Sequence, residues 1–356
     1  LDLCAWERGN SVYLPERVVP MLPEDLSNGL CSLRPREPRL ALVCDMLVTD
    51  RGRVSGFEFY EAVIRSWQRL TYTRVQEFLE SGALDVEAPV QDSLRQLQAV
   101  YQGFRAAREE RGALDFDTHE AVLELEAGHV KAIHPVTRLD AHRLIEEAMI
   151  AANVCAASFL EGADRKGMYR VHEPPDSTKT EQLRQALAFA GIRLARGELK
   201  PKTVQAALAD LGDRPDRWIF EMLALRSMTQ AVYSPANKGH YGLALERYMH
   251  FTSPIRRYAD LVVHQQLRAF VTGRGPLSVD EILERTSGLD AAGATIRRAE
   301  RQSNQQWKMV HLSRNPGWRG EAVVVALEER KAVVIIPELA LETRIRLSPD
   351  FSLGQT

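Results

Sequence analysis

HFTSPIRRYADLVVH, residues 250–264, is the stretch on which the reading of this chain turns. Thr252 and Ser253 are good helix N-caps, and Pro254 suits the first helical position, where its missing N–H costs nothing. Ile255, Tyr258, Ala259, Val262, Val263 and Leu267 recur at helical spacing, which predicts a helix over 254–271. Arg256 and Arg257 then fall in its first turn, where the helix dipole disfavours cations by up to about 1 kcal/mol. An anion at the helix start removes the conflict, because free N–H groups and a guanidinium converge on it, and a phosphate is the natural choice. The spacing leaves a second reading open. Arg256 can instead pair with Asp260 one turn on, for about 0.3 kcal/mol.

Immediately upstream, residues 233–249 read YSPANKGHYGLALERYM. Gly239 and Gly242 bracket His240 and Tyr241, which predicts a tight turn that gathers polar groups. Functional loops on rigid scaffolds have this character, and a purely structural histidine is the alternative.

The 356 residues suggest two domains, or one large domain with an appendage. Apolar residues make up 45% and charged residues 26%, as in ordinary soluble proteins. No apolar run approaches the roughly 18 residues of a membrane span. The N-terminal LDLCAWERGN lacks a signal-type pattern, so a cytoplasmic protein is expected. Cys4, Cys31, Cys44 and Cys155 are scattered, which favours buried thiols over disulfides or zinc. A net charge of −2 argues against a basic wrapper of duplexes and leaves room for a narrow local channel. Residues 248–272 carry three arginines against one aspartate, and IRRAER at 296–301 is also basic.

Strands are expected at 40–48 and 57–66, and a hairpin over 122–125 and 130–133. Residues 10–40 read as ordered loop. Helices are expected at 71–82, 91–111, 139–160, 180–196, 203–211, 217–230, 278–285 and 288–312, besides 254–271. Strands precede helices, which indicates an α+β class. After Asn315-Pro316-Gly317 come β-rich runs at 321–327, 331–337 and 343–347, too few to close a barrel. In RLIEEAMIAAN, residues 143–153, Arg143, Glu146, Ile150 and Asn153 share one face of an Ala-rich helix. Such a polar stripe is either solvated or lines a cavity.

GHYGLAL followed by HFTSPIRRYADLVVH resembles the signature of the catalytic domain of the ribonuclease II and ribonuclease R family. SVYLPERVVPMLPEDLSNGLCSL (11–33), RLIEEAMIAAN (143–153) and YRVHEPP (169–175) fit the same family. The resemblance runs from Glu7 to about Leu312. It implies a mixed, largely antiparallel sheet packed with helices over 1–313, its N-terminal part incomplete. A partial OB-fold barrel is expected over 314–356. The implied activity is processive 3′-to-5′ hydrolysis of single-stranded RNA to nucleoside 5′-monophosphates, by a monomer using a divalent metal, usually magnesium.

Residue by residue, the resemblance implies that Arg256 contacts phosphate near the scissile bond. It also implies that Glu146 holds the 3′-terminal ribose and that Tyr72 contacts the terminal nucleotide. These three form the implied catalytic set. Tyr13 and Phe116 match the family's two stacking aromatics, and a base stacked on such a ring gains about 1–3 kcal/mol. Glu300, in RRAERQ, matches an acidic residue near the domain's end and is grouped with the RNA contacts. Taken alone, Tyr72, Tyr13 and Phe116 read first as core residues, and Glu300 is equally readable as a solvated carboxylate.

One part of the pattern is missing. The family's metal site depends on an aspartate cluster of the kind IDP…DxDD ahead of the SVYLP stretch, where this sequence has only Asp2 before Glu7. The metal ligands are therefore unknown. The expected explanation is that the sequence is part of a longer chain. The alternative is an RNA-binding protein on the same fold that does not cut.

Overall fold

The fold was obtained as a computed structural model, which describes residues 2–116, 120–197, 199–214, 216–346, 351–352 and 354–356. The chain opens with α1 (Asp2–Arg8), the short strands β1 (Val12–Tyr13) and β2 (Val18–Val19), and a π-helical turn at Asp25–Leu30. The long strands β3 (Pro38–Val48) and β4 (Val54–Arg65) follow, then α2 (Tyr72–Ser81) and α3 (Ala88–Arg111). A hairpin of β5 (Ala121–Glu126) and β6 (His129–Pro135) leads into α4 (Asp140–Gly162) and β7 (Tyr169–Val171). Next come α5 (Ser177–Phe189), α6 (Pro201–Ala209), α7 (Arg217–Ser227) and β8 (Val232–Ser234). Then α8 (Tyr258–Val271), α9 (Val279–Thr286) and α10 (Leu289–Arg314) precede β9 (Val323–Leu327), β10 (Lys331–Ile336) and β11 (Leu341–Arg346).

Most predicted elements form, for the expected local reasons. Thr71 caps α2 by accepting from the Arg74 N–H, and Gly82 ends it in the left-handed region. Ala127 and Gly128 both have positive φ, the geometry that joins β5 and β6 through a two-residue turn. Residues 10–40 are more regular than expected, since β1, β2 and the π-helical turn lie there. Helix α5 stops at Phe189, short of the predicted 196. The predicted strand at 343–347 runs one residue past the described chain.

The α+β class stands, but the single mixed sheet does not form among the described residues. The strands make five separate antiparallel sheets: β1–β2, β3–β4, β5–β6, β7–β8 and β9–β10–β11. The three C-terminal strands form a meander and close no barrel among the described residues. Three strands bury too little to close on themselves. They pack instead on α7, through Ile219, Val323, Val325, Val333 and Ile335.

The main core lies where α4 and α8 cross beneath β3–β4. Ala156, Ala157 and Leu160 on α4 meet Val262, Val263 and Leu267 on α8, all fully buried. Alanines let the two helices approach closely, and burying each larger aliphatic side chain contributes about 1.5–3 kcal/mol. A second core joins α5, α6 and α7.

Candidate functional site

Helix α8 starts at Tyr258, four residues later than predicted. Arg257 is extended (φ −135°, ψ 123°) and bridges Asn10, while Arg256 O accepts from Ser11 N–H at 3.0 Å and Gly9 O accepts from Tyr258 N–H at 2.8 Å. The N-terminal segment therefore pairs with the 253–258 loop, and this pairing outweighs the capping signal at Thr252, Ser253 and Pro254. The arginines are not in a helical first turn. Neither of the two sequence readings holds as stated. Asp260, fully buried, accepts from Arg257 Nη2 at 2.8 Å and from Ser253 N–H at 2.7 Å. Arg257 takes the carboxylate, and the exposed guanidinium of Arg256 has no partner among the described residues.

This loop is held from several sides. Asn153 Oδ1 accepts from Phe251 N–H and Thr252 N–H, and its Nδ2 donates to Tyr248 Oη. His264 Nε2 bonds Phe251 O at 2.8 Å, with the two rings stacked 4.5 Å apart. The polar stripe on α4 is thus partly structural, since Asn153 and Ile150 are buried.

Arg256 lines a cleft of about 240 Å³ whose walls include Asn10, Tyr13, Arg170, Tyr233, His250, Arg257, Asp290, Arg297 and Glu300. Tyr13 lies at 47% exposure, its ring free for a planar ligand. Glu300 is not a solvated helix carboxylate: its Oε1 accepts from Tyr13 N–H at 2.8 Å and fixes β1 against α10. Arg170 sits 4.5 Å over the Tyr233 ring and 3.5 Å from Asp290, whose other oxygen accepts from Tyr233 N–H. Sequence reasoning missed Arg170, Tyr233, His250, Asp290 and Arg297. Arg170 and Arg297 lay in the YRVHEPP match and the basic run IRRAER, and Tyr233 and His250 lay at the starts of the two motif stretches, but no pattern there singled them out.

The other predicted residues form a second group. Glu146 pairs with Arg138 at 2.5 Å and lies 3.5 Å from Arg108. Arg138 also binds Asp115 at 2.5 Å, beside Phe116. Burial alone would raise the Asp115 carboxyl, but the hydrogen bond from Arg138 together with the charges of Arg138, Arg108 and Arg143 outweighs it and holds the group below its ordinary value. Glu147, not Glu146, is the buried carboxylate of the pair. It binds Arg108 at 2.6 Å, and burial pushes it above its ordinary value. Phe116 is partly buried against the second core. Tyr72, at 46% exposure, stacks on His142 at 4.0 Å and 24°. Glu146, Tyr72 and Phe116 are not among the described residues that line the cleft of Arg256. Tyr248 links the two groups: it is bonded to Asn153 and lies 5.7 Å from the His250 ring, and its hydroxyl is raised by burial first, with the Glu146 charge adding to it.

The turn read from GHYGLAL forms. A Cβ on Gly239, at φ +73°, would lie 3.0 Å from Leu245 O, so only glycine fits without strain. His172 Nδ1 accepts from Gly242 N–H, and His240 Nδ1 from Leu243 N–H, so both imidazoles must be neutral there. Burial first, and the neighbouring His172 next, bring His240 down to about 3.

No group of three or more His, Cys, Asp or Glu side chains among the described residues is placed to hold a metal. Asp2 is engaged elsewhere, by Tyr258, Gln265 and Arg285. The described residues by themselves do not fit a catalytic divalent ion. Among the described residues no helix is long and apolar enough to cross a membrane.

The RNB domain family model matches residues 1–273. The chain is 47% identical over 275 residues to Ribonuclease R of Vibrio cholerae, covering 76% of this chain but 34% of that protein. Thus it spans about a third of that relative's length. Among solved structures, Mycoplasma genitalium RNase R in complex with ribose-methylated single-stranded RNA superposes with a TM-score of 0.89 at 27% identity, over 97% of this chain and 56% of that one. Yeast Ssd1, a pseudonuclease, has the same fold at TM-score 0.75 and 22% identity, over 97% of this chain and 43% of that one. Fold alone therefore does not decide whether a member cuts.

Proposed function

The chain belongs to the RNB family of ribonuclease II and R proteins, and on that footing we propose that it carries the RNA-gripping part of an exoribonuclease that degrades single-stranded RNA from its 3′ end. The observation that supports this reading most is the cleft where Tyr13, Arg256 and Glu300, drawn from both ends of the chain, come together. An unpaired arginine beside an exposed aromatic ring suits a flexible polyanion with stackable bases.

In this reading Arg256 and the exposed Arg297 bind phosphate, Arg257 fixes the loop, and Tyr13 stacks on a base. Glu300 acts through Tyr13 by anchoring its main chain. Glu146, with Tyr72 at the start of α2, would receive the terminal sugar. A carboxylate accepting from a 2′-hydroxyl distinguishes RNA from DNA. The pairing of Glu146 with Arg138 must loosen for that contact. Residues 1–313 form the unit with the cleft, and 314–356 form an appended unit docked on α7 and α10. Processivity, release of nucleoside 5′-monophosphates and use of magnesium are proposed from family membership.

The test is 5′-labelled single-stranded RNA incubated with the protein, with magnesium or with chelator, and products resolved by length. Stepwise shortening from the 3′ end with release of mononucleotides is expected. Binding without mononucleotides would sink the nuclease reading and leave an RNA-binding protein on this fold.

A further inference from the structure

His250 belongs to no role assigned so far, yet it lines the same cleft as Arg256. Its ring stands edge-to-face between Tyr233 and Tyr248, with centroids 5.7 Å from each, which leaves it little freedom to rotate. Nδ1 meets the Tyr233 hydroxyl at 2.9 Å. That hydroxyl has no other partner among the described residues. Burial pushes it up to about 12, so it keeps its proton. Nδ1 is the one acceptor within its reach among the described residues, so the hydroxyl donates there rather than leave a buried proton unpaired. The ring proton then resides on Nε2. Nε2 has no partner among the described residues and is not one of the fully buried orphaned atoms, so it opens to the cleft.

The ring is also kept uncharged. Burial first, then Arg257 and Arg170, hold His250 well below its ordinary value. The site thus combines an exposed, unpartnered guanidinium with a rigid neutral N–H donor whose tautomer is fixed by a neighbour. A guanidinium alone neutralises a phosphate but leaves its orientation loose. A second donor from a fixed direction selects one oxygen.

We propose that His250, as its Nε2–H tautomer, donates a hydrogen bond to a phosphate oxygen of RNA held by Arg256, with Tyr233 as its positioning residue. This rests on the reading of the cleft as a phosphate site.

The test measures the affinity of a fluorescein-labelled oligoadenylate RNA for the full chain without magnesium. His250→Ala is expected to weaken binding about tenfold, the scale of one hydrogen bond to a charged group. His250→Gln, whose amide reaches the position of Nε2, is expected to return within about threefold of the parent. Tyr233→Phe should fall between them. A merely structural His250 would not be rescued by glutamine, and that result overturns the proposal, as does equal binding by the parent and His250→Ala while Arg256→Ala is impaired. If His250→Ala fails to fold, Tyr233→Phe decides: a several-fold loss supports the proposal and unchanged affinity overturns it. If the parent chain itself does not bind RNA, the ribonuclease reading falls and this inference falls with it.

Discussion

Asn153 Oδ1 accepts the main-chain N–H of Phe251 at 2.8 Å. Through this bond, and a second from Thr252 at 3.2 Å, helix α4 holds the loop that presents Arg256. The two most characteristic motifs of the sequence, 98 residues apart at this contact, are therefore one mechanical unit. The same amide donates to Tyr248 Oη, so all its capacity toward this loop comes from one buried side chain.

Asn153→Ala should accordingly cost about 3 kcal/mol, because it orphans two main-chain donors, one of them fully buried. Urea unfolding should show a lower midpoint at unchanged slope. Asn153→Asp keeps the acceptor and can still take a hydrogen bond from Tyr248, so its loss should be smaller. A change under about 1 kcal/mol in the alanine variant would show that the loop holds its shape without α4.

Glu300 and Tyr13 provide a second test, since the carboxylate anchors the main chain of the stacking residue. Glu300→Ala should weaken single-stranded RNA binding several-fold, about 1 kcal/mol, and Glu300→Gln should retain most affinity because its amide oxygen still accepts. The effect should vanish in a Tyr13→Ala background, as two changes acting through one contact are not additive. Full additivity would mean that Glu300 acts on RNA independently of Tyr13.

Much of this architecture was readable in the sequence, and what was not has physical causes. Strands β3 and β4, helices α3, α4 and α10 and the hairpin turn follow from local periodicity and turn chemistry. The start of α8 does not, because Gly9 and Ser11 compete for the backbone of Arg256 to Tyr258, and no local pattern reveals a partner some 250 residues away. The choice between Glu146 and Glu147 depends on the phase of α4 against Arg108 on α3, which adjacent glutamates leave ambiguous. The cleft draws on Asn10, Arg170, Tyr233, Arg256 and Asp290, five separate segments, so the family motif identified Arg256 while His250 and Arg170 needed coordinates. Phe116, whose stacking role came only from the resemblance, lies partly buried against the second core, as an aromatic taken alone would.

The buried histidines predict how stability depends on pH. His172, His240, His250 and His264 are all held below 6.5, with burial the largest cause in each. The folded state thus refuses protons that the unfolded chain accepts. Their contribution is fully present above pH 6.5 and is lost as pH falls from there, reaching about 3 for His240. At pH 5.5 each strongly depressed histidine costs about 1 kcal/mol relative to pH 7.5. Denaturant midpoints measured from pH 7.5 to 5 should therefore fall. His240→Asn, whose side-chain oxygen can still accept from Leu243, should flatten the curve by about one proton. A stability curve level through this range would contradict the neutral assignment.

Arg256 and Arg257 are adjacent and chemically identical, yet the structure gives them opposite consequences. Arg257 pairs with Asp260, which is fully buried, so Arg257→Ala leaves a carboxylate uncompensated in the core. That should cost about 3–5 kcal/mol and lower the unfolding midpoint sharply. Arg256 is exposed and unpartnered among the described residues, so Arg256→Ala should change stability by less than about 0.5 kcal/mol. Its loss should appear in function instead: mononucleotide release from single-stranded RNA should drop by about 100-fold or more, the scale for removing one donor that meets developing charge. RNA affinity should fall less, because stacking on Tyr13 and the remaining cleft arginines persist. Parallel denaturation and single-turnover cleavage assays on the two variants separate these outcomes. If Arg256→Ala cuts at near-parental rate, Arg256 leaves the mechanism. If instead both variants lose stability equally, the loop is not divided into a binding arginine and a structural one.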